Sequence, residues 1–317
     1  MIGKDIDWAI KLLKEGQLVG IPTETVYGLA GNALDESAVT RIFQVKNRPT
    51  FDPLIVHTDS LAKVHDFVLD IPEKAYILAK HFWAGALTLL LPKKNIIPDL
   101  VTSGSPLVAV RIPNHALTLE VLGRLDFPLA APSANPFGYI SPTTAQHVEA
   151  QLGNKIPYTL DGGSCQLGLE STIVGFEHEQ AVIYRKGGIS IESIEAVIGK
   201  VEVKAHSSSN PQAPGMLKSH YAPRIPLVLG AIDKLIKEYA GREIGILSFQ
   251  KYFDNVPIHQ QFILSEKGDL GEAAKNLFAA MRTLDQMDIE VILADLLPEQ
   301  DLGRAINDRL RRAAAKS

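Results

Sequence analysis

A chain of 317 residues, 46% hydrophobic and 21% charged, suits a soluble globular protein of about two domains, each able to bury its own core. Its net charge of −4, with 18 Lys+Arg against 22 Asp+Glu up to Asn210 and 14 against 14 beyond, gives no support for a nucleic-acid-binding surface. The charged N-terminus lacks a signal-peptide core, the longest apolar run (86–91) is too short to span a bilayer, and Cys165 stands alone, so a cytoplasmic location without disulfides is expected.

In chain order, Trp8, Ala9, Leu12 and Leu13 predict an amphipathic helix that closes near Gly16. A short apolar strand, 18–21, stops at Pro22 and opens into a turn carrying Thr23, Glu24, Thr25 and Tyr27, where Gly28 and Gly31 allow sharp backbone turns. Ala38, Val39, Ile42, Phe43 and Val45 make a helical stripe over 36–45. Lys46 and Arg48 come off its end, Pro49 breaks it, and 54–57 is the next strand. Hydroxyls and cations are thus expected at strand ends, where open α/β sheets bind ligands. Further helices are predicted over 72–83, 116–122 and 143–152, and strands over 86–91, 107–112, 128–131, 158–160, 172–174 and 181–184. Several strands follow one another directly, so the sheet is expected to be mixed. The Ser-, Pro- and Gly-rich stretch 205–224 reads as a linker. Beyond it, strands 227–229, 244–247 and 291–294 alternate with helices 232–239, 270–287 and 303–315. The expected organisation is an α/β domain at 1–204, the linker, and a smaller α/β domain at 225–317.

Four constellations suggest chemistry. Lys46 and Arg48 sit at a helix end, where they either offset the helix dipole or reach one anionic ligand. In 131–144, Ser133, Asn135, Gly138 and Ser141 precede a helix capped by Thr143 or Thr144, which is either an ordinary capping loop or a phosphate-binding one. Arg111 ends an apolar strand and needs an anionic partner, internal or bound. The glycine-rich stretch 161–174 leads to Arg185. His57 ends an apolar strand as well. No H-E-x-x-H, no Cys/His ligand cluster and no Walker A motif occurs, so no protein-held metal is expected.

The strings P-T-E-T-V-Y-G-L (22–29), K-N-R-P (46–49), P-L-I-V-H (53–57) and S-A-N-P-F-G-Y-I-S-P-T-T (133–144), in this order, resemble the YrdC superfamily. Stretches such as P-G-M-L-K-S-H-Y-A-P and D-L-G-R-A-I-N-D-R-L extend the likeness to its two-domain members, over nearly the whole chain. The resemblance implies a YrdC-like twisted mixed sheet flanked by helices, plus a Rossmann-like C-terminal α/β domain. It also implies synthesis of L-threonylcarbamoyl-AMP and pyrophosphate from L-threonine, bicarbonate or CO2, and ATP. The product would feed threonylcarbamoyl-adenosine formation next to the tRNA anticodon through downstream transfer proteins.

On this resemblance Lys46 and Arg48 act on the triphosphate, and with Ser133, Asn135, Ser141 and Arg185 they hold ATP, whose phosphates carry Mg2+. Thr25, His57, Arg111 and Ser171 hold threonine. Asp52 departs from the pattern, in which Asn commonly precedes P-L-I-V-H, and is left out of the site. Met216, Leu217, His220 and Tyr221 are anchor-like residues within the linker, so it is read either as a lid, with Tyr221 reaching over the nucleotide, or as a simple dock between domains. Two rival functions stand beside this reading. Carbamoyl transfer in hydrogenase maturation is opposed by the single cysteine, and an RNA-binding or ribosome-assembly module by the acidic charge balance.

Overall fold

The computed structural model describes residues 1–178, 180–204, 213–214, 216 and 219–315. Leu217 and the greater part of the linker lie outside the described residues. Among the described residues, eleven strands make one mixed sheet: β1 (Ile2–Gly3), β2 (Val19–Ile21), β3 (Gly28–Asn32), β4 (Ile55–His57), β5 (Leu87–Pro92), β6 (Leu107–Arg111), β7 (Leu129–Ala130), β8 (Tyr158–Leu160), β9 (Thr172–Glu177), β10 (Gln180–Arg185) and β11 (Glu202–Val203). Their spatial order is β1-β8-β2-β3-β7-β4-β6-β5-β9-β10-β11. Four more, β12 (Leu227–Leu229), β13 (Ile244–Ser248), β14 (Gln261–Ile263) and β15 (Val291–Ala294), form a parallel sheet in the order β12-β15-β13-β14. A mixed sheet with a smaller α/β partner is the architecture the interleaved pattern predicts. The mixture arises because β2–β3 and β9–β10 pair antiparallel, whereas β4 and β6 run parallel across a helical crossover.

One expectation about the turn after β2 fails. Gly28 and Gly31 do not make turns; they lie within β3, and neither has positive φ. They are small because the sheet is crowded there: a Cβ on Gly31 would lie 2.8 Å from Leu18 Cδ2, and one on Gly28 3.2 Å from Ala131 Cβ. The sequence reading also missed the short strands β1, β11 and β14 and the helix Ile191–Ile198. Elsewhere element ends shift by a few residues. The fourth helix is Glu73–Phe82, and the long helix of the second unit, Leu270–Leu284, stops before Asp285.

Alternation along the central strands sorts their side chains onto two faces. Val56, Leu89, Val110, Val174 and Ile183 enter the main core beneath the flanking helices. Ile55, Leu90, Ala109, Ile173 and Tyr184 point the other way, where Ala213 and Met216 of the linker cover them. Register places His57 beside Arg111 and Arg111 beside Thr88, so a polar row crosses the sheet next to this second apolar patch. The second sheet is joined firmly to the first. Leu277, Phe278 and Met281 share a core with Val26, Ile140, Leu169 and Tyr221, and Arg282 donates to the carbonyls of Ile140 and Ser141. Among the described residues no helix is long and apolar enough to cross a membrane.

Candidate active site

The turn after β2 is built by one hydroxyl. Thr23 Oγ1 accepts from the backbone N–H of Thr25 (3.1 Å) and Val26 (3.2 Å) and donates to the Val26 carbonyl (2.7 Å). The Thr25 hydroxyl lies 2.7 Å from it, and either oxygen could donate there. Thr25 Oγ1 in turn accepts from Arg111 Nη1 at 2.8 Å. Arginine only donates, so the contact between Arg111 and Thr25 has a fixed direction. Arg111 Nε donates to Gly85 O (3.2 Å), and Nη2 lies 2.7 Å from Glu24 Oε1.

His57 shares the row. Its Nδ1 is 3.2 Å from the Ile55 carbonyl, which can only accept, so Nδ1 carries the proton and Nε2 is an acceptor. Burial, reinforced by the Arg111 charge, pushes its pKa down to about 3, so the ring is neutral at physiological pH. On the far side, Ser171 precedes β9. Its hydroxyl contacts Thr88 Oγ1 at 2.7 Å and receives Arg185 Nη2 at 3.0 Å. Arg185 also donates to Ser171 O and, at 3.4 Å, to Pro214 O of the linker, and burial brings its pKa down to about 10.

The cationic corner forms as the helix Glu36–Lys46 ends. Asp35 caps its start by accepting from Ser37 N–H, and Asn47 closes it in the left-handed region at φ 52°. That exit turns Arg48 back onto the segment it precedes. It donates to Asp52 O (3.0 Å) and Pro53 O (2.7 Å) and pairs with Asp52 Oδ2 at 2.9 Å. Asp52 is therefore the internal counter-ion of Arg48.

These groups enclose one cavity of about 50 Å3, whose wall includes Thr23, Thr25, Arg48, His57, Arg111, Ser133, Glu170, Ser171, Arg185, Pro214, His220 and Tyr221. Its polar residues gather at strand ends as expected: Thr23 and Thr25 follow β2, and His57, Arg111 and Arg185 are the last residues of β4, β6 and β10, while Ile55 extends the wall onto the sheet face. Of the predicted site residues, Arg48, Ser133, Arg185, Thr25, His57, Arg111, Ser171 and Tyr221 meet here. Three do not reach the wall. The Lys46 amine is bound by the carbonyls of Ser133 and Asn135, and burial, with Arg48 adding to it, holds its pKa well below the lysine range. Asn135 spends its amide N–H groups on Pro136 O and Tyr139 O, both at 2.8 Å. Ser141 is fully buried and donates to Glu170 Oε1 at 2.6 Å. All three brace the loop 133–141, the reason being that its carbonyls and its neighbouring carboxylate need donors inside the protein. Thr144, and not Thr143, caps the helix that follows.

Tyr221 closes one side, at φ 65°. Its ring stacks on Phe278 (5.5 Å between centroids) and receives Arg309 and Arg312 at 5.0 and 4.7 Å. Sequence reasoning missed Glu24, Glu170 and Arg309. Glu170 is buried, which by itself would raise its pKa, but Arg309, Arg185 and Ser141 outweigh that and hold it below the usual carboxylate range. The available signal for Arg309 was its place on an apolar stripe, with Ala305, Ile306, Leu310 and Ala313.

Comparison with known proteins agrees with this architecture. Residues 11–187 match the Sua5/YciO/YrdC family, described as telomere recombination, and residues 189–315 match the threonylcarbamoyl-AMP synthase C-terminal domain. The chain is 39% identical to the threonylcarbamoyl-AMP synthase of Pyrococcus abyssi, over 97% of this chain and 94% of that protein. It is 40% identical to the threonylcarbamoyl-AMP synthase of Bacillus subtilis, over 96% and 92%. The crystal structure of P. abyssi Sua5 complexed with L-threonine superposes with a TM-score of 0.93 at 38% identity, covering 99% of this chain and 97% of that one. Relatives and a solved structure match this chain along essentially its full length, and the chain belongs to the threonylcarbamoyl-AMP synthase family of enzymes.

Proposed function

We propose that this enzyme makes L-threonylcarbamoyl-AMP and pyrophosphate from L-threonine, bicarbonate or CO2, and ATP. The observation that carries the reading is a single cavity with two kinds of anion receptor. At one end are Arg111 and Thr25, and at the other Arg48, Arg185 and the loop held by Lys46. The P. abyssi Sua5 crystal structure is a complex with L-threonine, which supports threonine as a substrate, and the Arg111 end suits its carboxylate. There the Arg111 fork grips the carboxylate, Thr25 and Ser171 flank it, and neutral His57 offers Nε2 as an acceptor for the substrate hydroxyl or amine. The threonine amine adds to CO2 as it loses a proton, giving a carbamate. A carbamate oxygen then attacks the α-phosphorus of ATP, and the bond from that phosphorus to the β-phosphate oxygen breaks, releasing pyrophosphate. The protein supplies alignment and charge neutralisation. Arg48, Arg185, Ser133 and, from behind, Lys46, Asn135 and Ser141 hold the nucleotide end.

Among the described residues no group of three or more His, Cys, Asp or Glu side chains is placed to hold a metal ion. The nearby carboxylates, Glu24, Asp52 and Glu170, each face an arginine. These residues do not form a resident Mg2+ cage; Mg2+ entering with ATP takes its oxygens from phosphates and water and neutralises phosphate charge.

Pro214, His220 and Tyr221 lie in the cavity wall, where they can close over bound ATP. In this reading 1–204 carries the chemistry, Pro214, His220 and Tyr221 of the linker cover it, and the domain that begins at 225 braces the cover. The cytoplasm, where ATP and tRNA-modifying proteins are available, is the setting, and the product passes to threonylcarbamoyl transfer onto tRNA. The test is mass spectrometry of the protein incubated with ATP, threonine and bicarbonate. An acyl-adenylate that needs all three is expected, and its absence from a folded, ATP-binding preparation refutes the assignment.

A further inference from the structure

Glu170 stands in the cavity wall beside Ser171 and Arg185, where an uncompensated carboxylate repels phosphate. Two side chains address that charge. Ser141 Oγ donates to its Oε1, and Arg309 Nε donates to its Oε2 at 2.9 Å. Arg309 comes from the last helix, Gly303–Ala314, 139 residues along the chain, and is 0% exposed. Its other N–H groups reach Asp308 Oδ2 (2.8 Å) and the Lys186 carbonyl (2.9 Å). Asp308 also faces Arg312 at 3.6 Å. A guanidinium buried on an apolar helix stripe is costly unless a specific anion requires it, and here that anion is part of the cavity wall.

We propose that Arg309 is a positioning residue for the nucleotide pocket: it fixes the Glu170 carboxylate and cancels its charge, so that incoming phosphates meet a wall of net positive sign. The second α/β unit is thereby part of the pocket's electrostatics, and not only a brace. The inference rests on the nucleotide reading above, so it is tested on ATP binding alone, without threonine and without turnover.

The experiment is calorimetry of ATP with Mg2+ on the full-length chain, with L-threonine titrated separately. Arg309→Gln keeps a polar group within reach of the Lys186 carbonyl and removes the charge. ATP affinity should fall about tenfold or more, with threonine affinity held within about twofold. Adding Glu170→Gln to that variant removes the uncompensated carboxylate and should restore most of the loss, whereas a merely structural role predicts no rescue. Glu170→Gln alone removes the negative charge from the wall while Arg309 stays behind it, and should tighten ATP binding. That arm decides the matter if Arg309→Gln does not fold. Unchanged ATP affinity in Arg309→Gln, a double variant no better than the single one, or a Glu170→Gln protein that binds ATP no more tightly each overturns the inference. A folded wild-type chain that binds no ATP refutes the nucleotide reading itself, and this inference falls with it.

Discussion

Replacing Arg111 by Lys keeps the charge and removes the planar fork. In the structure three nitrogens of Arg111 are used at once: Nε to Gly85 O (3.2 Å), Nη1 to Thr25 Oγ1 (2.8 Å), and Nη2 beside Glu24 (2.7 Å). A lysine has one nitrogen and cannot span these partners while also meeting a carboxylate at two points. One charge-assisted hydrogen bond is worth about 1.5–3 kcal/mol, so losing one of the two carboxylate contacts should weaken threonine roughly ten- to a hundredfold. Glu24 keeps a cation nearby, so the fold should survive. Separate calorimetric titrations decide the point: threonine affinity should drop and ATP affinity stay within about twofold, since no new charge enters the pocket. Unchanged threonine affinity with ATP binding lost would show that Arg111 serves the nucleotide, and the assignment would be wrong.

Lys46→Ala frees the carbonyls of Ser133 and Asn135, and Arg48→Ala removes the guanidinium that faces Asp52; either should slow turnover roughly ten- to a hundredfold by losing a charge-assisted contact. Wild-type pyrophosphate release from both would contradict this. His57 titrates near 3 in the folded protein against 6.5 for a free histidine, so unfolding takes up a proton between those values and stability falls as pH drops from about 6.5 toward 3. Denaturant melts of His57→Gln should show a flatter acid limb; an unaltered slope would show that the ring is not held neutral. Tyr221→Ala should raise the ATP consumed per acyl-adenylate recovered, because the reactive anhydride loses its cover. An unchanged ratio in a well-folded variant would leave Tyr221 as a docking residue only.

Periodicity made the elements that pack legible. The stripe Ala38, Val39, Ile42 and Phe43 is buried as its spacing predicts, and the apolar runs of β5 and β6 lie at the centre of the large sheet. The glycines of β3 misled because a glycine permits a turn and equally permits close packing; Leu18 and Ala131, which decide between the two, come from elsewhere in the chain. In the site, motif residues marked the right loops, but a string of letters cannot say which side of a loop a side chain takes. Lys46 and Ser141 turn inward because Ser133 O, Asn135 O and Glu170 need donors there. Arg309 was hidden more deeply, since its partner lies 139 residues away and only the joining of the two units brings them together.

The pattern of internal pairing bears on which end of the cavity takes which substrate. Arg48, Arg111 and Arg309 each face a carboxylate, at 2.9, 2.7 and 2.9 Å, and a folded state only about 5–15 kcal/mol from unfolding could not carry them buried and unpaired. Each such carboxylate also subtracts from the pull on an incoming anion. Lys46 and Arg185 are handled differently: their hydrogen bonds go to neutral acceptors, the carbonyls of Ser133, Asn135, Ser171 and Pro214 and the Ser171 hydroxyl. These acceptors satisfy donors without cancelling charge. The positive charge at the Lys46 and Arg185 end is therefore that of Arg185, while Lys46, its pKa held well below the lysine range by burial, secures the carbonyls of the 133–141 loop, an arrangement that suits a polyanionic triphosphate. At the other end Arg111 and Glu24 set opposite charges side by side. That arrangement matches an amino acid carrying both signs and gives a second anion little reason to compete for it.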